Sequence, residues 1–308
     1  MPSLREIVRG PTFVVHTLVR GVLGILARYD AAGGSLLAGG LAYSALFAIV
    51  PLALVTAGLT GLLVSDPHTR ARVVETIAGV LPPMRGLLVV VLGEAARSAA
   101  AISIFGTATL IWGGSRFILA FETALSRVAG GPRSRGVVQL NLVGLVTAIL
   151  LVVTVVVGAF LAGLAAFLDE AVAGNEILAL SLVTRLTLAL LPVALAIAAT
   201  ALIYRFVPES RPSWRATWIP AVTIAVLLTI FVRVFVYIAP RLIGAAATIG
   251  TLATVFAALA WLGLTFQAIL IGAAWTGQRH ERFDRDPSRT ELSRTEPSRT
   301  ESSQADLT

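Results

Sequence analysis

Three arginines set inside otherwise apolar stretches, Arg116, Arg185 and Arg233, have the most chemistry to offer in this chain. A guanidinium in hydrocarbon costs at least ~2.5–3.5 kcal/mol on insertion scales, so each needs either a route to water or an anionic partner. Two readings follow. A long stem can carry the charge to the interface, or the three can line a polar cavity that takes a small anion or a lipid headgroup. At ~1.5 Å per residue, Arg185 lies about 9 Å and Arg233 about 11 Å inside the outer ends of their stretches, with Arg116 nearer the inner end of its own. Glu122 cannot serve Arg116 within one helix, because six residues turn about 240° onto another face. Gln267, one turn from Gly263, is placed to hydrogen-bond across helices or to touch a substrate.

Other chemistry is missing. The histidines are His16, His68 and His280, and no His-x-Glu or Glu-x-x-His spacing accompanies them. A metal-dependent nuclease needs such a ligand cluster and a basic groove for the nucleic-acid backbone. The chain has no cysteine, so disulfides and thiolate chemistry drop out together. Gly33-Gly34 and Gly39-Gly40 lack the lysine of a phosphate loop. No catalytic, cofactor-binding or metal-ligating residue is expected, and no enzyme.

The elements that carry the arginines are long. Residues 31–65, 136–168 and 242–278 hold no charge, and each run exceeds the ~20 residues that cross a ~30 Å hydrocarbon core as a helix. Charged residues make up 13% of the chain, against ~25% in an ordinary soluble domain. The pattern predicts an all-α, polytopic membrane bundle with six transmembrane helices, near 36–64, 101–125, 137–168, 179–204, 216–240 and 248–276. Gly40, Ser44 and Ala48 on the first, and Gly158, Ala162 and Ala166 on the third, are small residues at helical spacing that suit close packing.

All 24 basic residues are arginine, and their placement predicts orientation. Thirteen fall on alternate flanks: Arg5, Arg9, Arg20 and Arg28; Arg127, Arg133 and Arg135; Arg205, Arg211 and Arg215; Arg279, Arg282 and Arg285. The opposite short loops carry Asp169, Glu170 and Glu176, or Arg241 alone, while a long first loop holds Arg70, Arg72, Arg85 and Arg97. The positive-inside rule then puts both termini in the cytoplasm. Residues 1–35 read as a cytoplasmic or interfacial segment with an amphipathic helix, its Arg9 and Arg20 near anionic headgroups or its apolar face under the bundle. Residues 36–278 form the six-helix domain. Residues 279–308, with Ser-Arg-Thr-Glu repeated at 288, 293 and 298, read as a disordered cytoplasmic tail.

Several motifs carry a resemblance. The first span reads Leu41-Ala42-Tyr43-Ser44-Ala45-Leu46-Phe47 and continues to Pro51-Leu52; the second ends Ser115-Arg116-Phe117 with Ala124-Leu125 beyond. The fourth closes on Tyr204-Arg205-Phe206-Val207-Pro208, with Trp214-Arg215 after it, and the sixth on Leu270-Ile271-Gly272-Ala273. In order and spacing this resembles the YihY/BrkB family of bacterial inner-membrane proteins, once labelled ribonuclease BN. The resemblance implies six helices, the cytoplasmic membrane as location and no settled activity, and it adds Tyr43 to the candidate cavity residues. The expected function is transport or handling of an anionic lipid or small anion. The alternatives are a non-transporting membrane scaffold and, from the family label alone, a ribonuclease. Membrane lipids are the expected partners, with no nucleic acid and with self-association left open.

Overall fold

The computed structural model describes residues 19–63, 99–131, 178–245 and 251–284. The expected third span at 137–168 and the repeat-bearing tail lie outside the described residues. Six helices make up what is described: α1 (Val19–Ala31), α2 (Gly34–Leu63), α3 (Ala99–Ala129), α4 (Leu178–Phe206), α5 (Trp214–Ala245) and α6 (Thr251–Asp284). Among the described residues there is no strand. Two helical stretches, Trp214–Ile238 and Leu252–Asp284, are long and apolar enough to cross a membrane, and α1 with Gly34–Ile49 makes a third if that bent pair counts as one span.

The break between α1 and α2 is local and has a residue behind it. Gly33 has φ +73°, the left-handed conformation that glycine adopts without a Cβ penalty. The two axes meet at 62°, and the Tyr29 ring packs against Gly34 where any side chain would collide.

Two helices run past their apolar stretches. α3 continues to Ala129 and α6 to Asp284, so residues 279–284 extend the last helix. The added turns carry Arg127 and Arg282, where a cation favours the helix dipole.

α6 packs on α2, α3 and α5, α2 also lies along α3, and α4 packs on α5. Alanine dominates the contacts: Ala38, Ala42 and Ala45 on α2, Ala124 on α3, Ala201 on α4, Ala221 and Ala225 on α5, and Ala258, Ala273 and Ala274 on α6 are all buried. Small side chains let helix backbones approach closely where lipid offers no hydrophobic drive to associate. Ala38, Ala42 and Ala45 make the buried stripe of α2, and of the expected stripe Ala48 is buried, Ser44 half-buried and Gly40 exposed. Three buried threonine hydroxyls donate to the carbonyl one turn back: Thr200 to Ala196, Thr217 to Ser213 and Thr276 to Gly272.

Candidate functional site

Contacts between helices set which residues share a height. Gly277 on α6 faces the Ala129 carbonyl at the end of α3, and the Phe266 ring lies 5.9 Å from Phe117 and 6.1 Å from Phe121. Between α6 and α5, Gly272 meets Ile224 and Trp261 lies 6.2 Å from Phe235. Between α3 and α2, Gly113 meets the Phe47 carbonyl. These registers carry Arg116 across to Ser44 on α2, Leu264 on α6 and Val232 on α5. Arg116 and Arg233 are thus level, Tyr43 sits beside that level and Gln267 lies within one turn of it. On the α4–α5 pair, Arg185 is about 32 Å from Phe206 and Arg233 about 29 Å from Trp214, counting ~1.5 Å per residue. The Arg185 side chain lies outside the described residues.

The sequence places Arg116 toward the inner end of its span. In the structure it stands about 20 Å from Ala129 and about 26 Å from Ala99, so it remains nearer the Ala129 end of α3.

The candidates share a height, and those with described side chains do not sit in one packed cluster. Arg116 is exposed, its guanidinium 6.0 Å from the Trp112 ring on the preceding turn, and Ser115 Oγ donates to the Trp112 carbonyl. Arg233 is exposed. Tyr43 is exposed and its ring lies 4.7 Å from Phe47. Gln267 is half-buried. Among the described residues no hydrogen bond or ring contact joins one of them to another.

Aromatic residues mark two heights on α5. Trp218, 54% exposed, stands near one end and Tyr237, 68% exposed, near the other. Their separation of nineteen residues is about 29 Å. Arg241 stacks 4.0 Å over the Tyr237 ring and donates to its hydroxyl. Arg233 is one turn inside Tyr237, about 6 Å along the axis.

The opposite end is where the described arginine flanks gather, and sequence reasoning missed its central contact. Arg28 on α1 donates from Nε to the Val128 carbonyl at 3.1 Å and from Nη2 to the Ala129 carbonyl at 2.7 Å, while pairing with Glu281 of α6 at 2.8 Å. One guanidinium thereby caps α3, whose last carbonyls have no partner inside the helix, and ties the first described helix to the last. Gly130 follows with φ +83° and packs against the Arg28 guanidinium. Gly24 of α1 meets the Gln278 side chain. The Tyr29 phenol is raised above its usual pKa, first by burial and then by the Asp30 carboxylate. Glu122, set aside above as a partner for Arg116, and Tyr204, quoted above only as part of a motif, were not among the candidate site residues. Glu122 is buried at 2% exposure, and Tyr204, fully buried, donates its hydroxyl to the Ile269 carbonyl at 2.8 Å. The only sequence signals were an acid inside an apolar run and the Tyr-Arg-Phe ending of α4.

No group of three or more histidine, cysteine, aspartate or glutamate side chains among the described residues could hold a metal ion. A family model described as Virulence factor BrkB matches residues 25–297, most of the chain. The chain belongs to the BrkB family. No curated protein and no solved structure matches it. Family membership and the long apolar helices mark this BrkB member as a membrane-type protein. Its exposed polar features therefore have to be judged against lipid as well as water.

Proposed function

We propose that this BrkB family member is a six-span protein of the cytoplasmic membrane, both termini inside, that binds and handles an anionic lipid without bond-making chemistry. The observation that carries the reading is the common height of Arg116 and Arg233 on exposed helix surfaces. The Trp218–Tyr237 spacing of about 29 Å matches a hydrocarbon core of ~30 Å, and tryptophan and tyrosine concentrate at its two boundaries. On that frame the arginines lie some 6–8 Å inside the far boundary and about 21–23 Å from the Trp218 boundary. A snorkelling stem reaches the nearer headgroups and no others. A guanidinium meeting a phosphodiester there gains a charge-assisted, bidentate contact that water alone would not supply.

Arg116→Gln and Arg233→Gln are each expected to reduce the anionic phospholipid that co-purifies after mild detergent extraction, by roughly threefold or more, with helical content unchanged. Retention equal to the unsubstituted protein in both variants would remove the lipid reading and leave the arginines as solvated charges.

Orientation is tested separately. The described arginine flanks meet at one end through Arg28, Glu281, Arg279 and Arg215, and the positive-inside rule assigns that end to the cytoplasm. A reporter active only outside the cytoplasm, fused after residue 278, should stay silent. A strong signal there would invert the assignment.

A further inference from the structure

We infer that α1 lies in the headgroup boundary of the bilayer, one side held on the bundle and the other, formed by Val19, Val22, Leu23 and Leu26, entering the edge of the leaflet. The inference rests on the proposed membrane frame of Trp218 and Tyr237, and it names a lipid surface as the partner of this helix.

α1 has two apolar sides, and only one of them is used inside the chain. Ile25 and Tyr29 are buried in the core, one turn apart. Val19, Val22, Leu23 and Leu26 are 39–58% exposed. Their spacing makes one continuous stripe along a helix. At about 100° per residue, the four lie roughly 120–180° round the helix from Arg28. Arg28 is the residue that grips the α3 carbonyls and Glu281, so the stripe is turned away from the bundle. Arg20, also exposed, sits on its flank about 60° beyond Leu23. Asp30 ends it one turn past Leu26, at the bend into α2.

Height decides what a surface turned away from the bundle meets. Gly24, midway along α1, contacts the Gln278 side chain of α6, and the α5–α6 register that pairs Ile224 with Gly272 sets Trp218 level with Gln278. The middle of α1 is thus level with an exposed tryptophan, at one boundary of the frame. The axes of α1 and α2 meet at 62°, so a helix about 20 Å long climbs only about 9 Å along the α2 direction. That matches the roughly 5–10 Å layer in which interfacial helices lie. Leu36, 82% exposed in the first turn of α2, carries the apolar surface across the bend. A stripe at this height meets glycerol and the upper acyl chains, with the phosphate layer in reach of Arg20.

The chain has no cysteine, so a single substitution places a single nitroxide. The test uses Val22→Cys, Leu23→Cys and Leu26→Cys, with Arg20→Cys and Trp218→Cys for comparison, all at exposed positions. The full chain is reconstituted in nanodiscs of phosphatidylglycerol and phosphatidylcholine, and collisions of each label with oxygen and with a water-soluble nickel chelate are measured. The oxygen-to-nickel ratio should be several-fold higher at the three stripe positions than at residue 20, and close to that at residue 218. Nickel collisions along the stripe as frequent as at residue 20, with residue 218 still shielded, would overturn the inference and leave the frame standing. Aqueous readings at the stripe and at residue 218 would overturn both. Shielding of the stripe from oxygen and nickel alike would mean that protein covers it, and would overturn the lipid assignment. Spin–spin broadening that vanishes on dilution with unlabelled chain would then identify the cover as a second copy.

Discussion

Gly277→Ala is expected to lose most of the folded protein, with a lower thermal midpoint in detergent than any other single methyl addition on α6. The added Cβ would fall on the carbonyl, carbonyl carbon and Cα of Ala129. A side chain could swing aside, but the backbone at the capped end of α3 cannot. Overpacking of this kind costs ~1–3 kcal/mol or more. Alanine recovers only about 1 kcal/mol of helix propensity, so the net effect is destabilising. Gly263 on the same helix is the control, since a Cβ there meets nothing within 4 Å, and Gly263→Ala should leave the midpoint unchanged or slightly higher. Equal behaviour of the two variants would show that the α3–α6 contact is not what limits stability.

The second large effect belongs to Arg28. Arg28→Ala removes two donors from the last carbonyls of α3 and the partner of Glu281. Hydrogen bonds to a charged group contribute about 1.5–3 kcal/mol each. The Glu281 side chain is 44% exposed, so screening limits the ion pair to at most about 1 kcal/mol. A loss of roughly 3 kcal/mol or more is expected, concentrated locally. Amide hydrogen exchange should rise across residues 19–31 and 126–131 while the Leu262–Leu270 core of α6 stays protected. Arg28→Lys should fall between, keeping Glu281 but losing the fork that reaches two carbonyls at once. Exchange unchanged in the alanine variant would mean that apolar contacts at Ile25 and Tyr29 hold α1 without the arginine.

Where each described helix lies was legible because uncharged length is a one-dimensional property. Gly34 and Leu178 begin helices within two residues of the positions expected from the apolar runs. The ends at Ala129 and Asp284 were not legible, since hydropathy registers the apolar part of a helix and is blind to solvated turns such as 279–284. The packed face of α2 was legible only in part for a related reason. In a helix apolar all round, glycine, alanine and serine repeat on several faces, and no polar side breaks the tie between Gly40–Ser44 and Ala38–Ala42. Arg116 was identified as a candidate, and its level with Arg233 was not legible, because that depends on how Gly277 meets Ala129 and Gly272 meets Ile224. Arg28 was counted only as a flank charge. Its partners lie a hundred residues away on α3 and farther still on α6, and spacing along the chain carries no trace of either.

The Arg28–Glu281 link has a consequence for biogenesis. A ribosome delivers α1 first, yet its acidic partner belongs to the last described helix. During synthesis Ile25 and Tyr29 are not yet covered as they are in the finished bundle, while Arg28 gains the α3 carbonyls once Ala129 is made and Glu281 only once α6 is. Closure is therefore a late event, and a chain stalled before residue 281 leaves its amino-terminal helix held on one side alone.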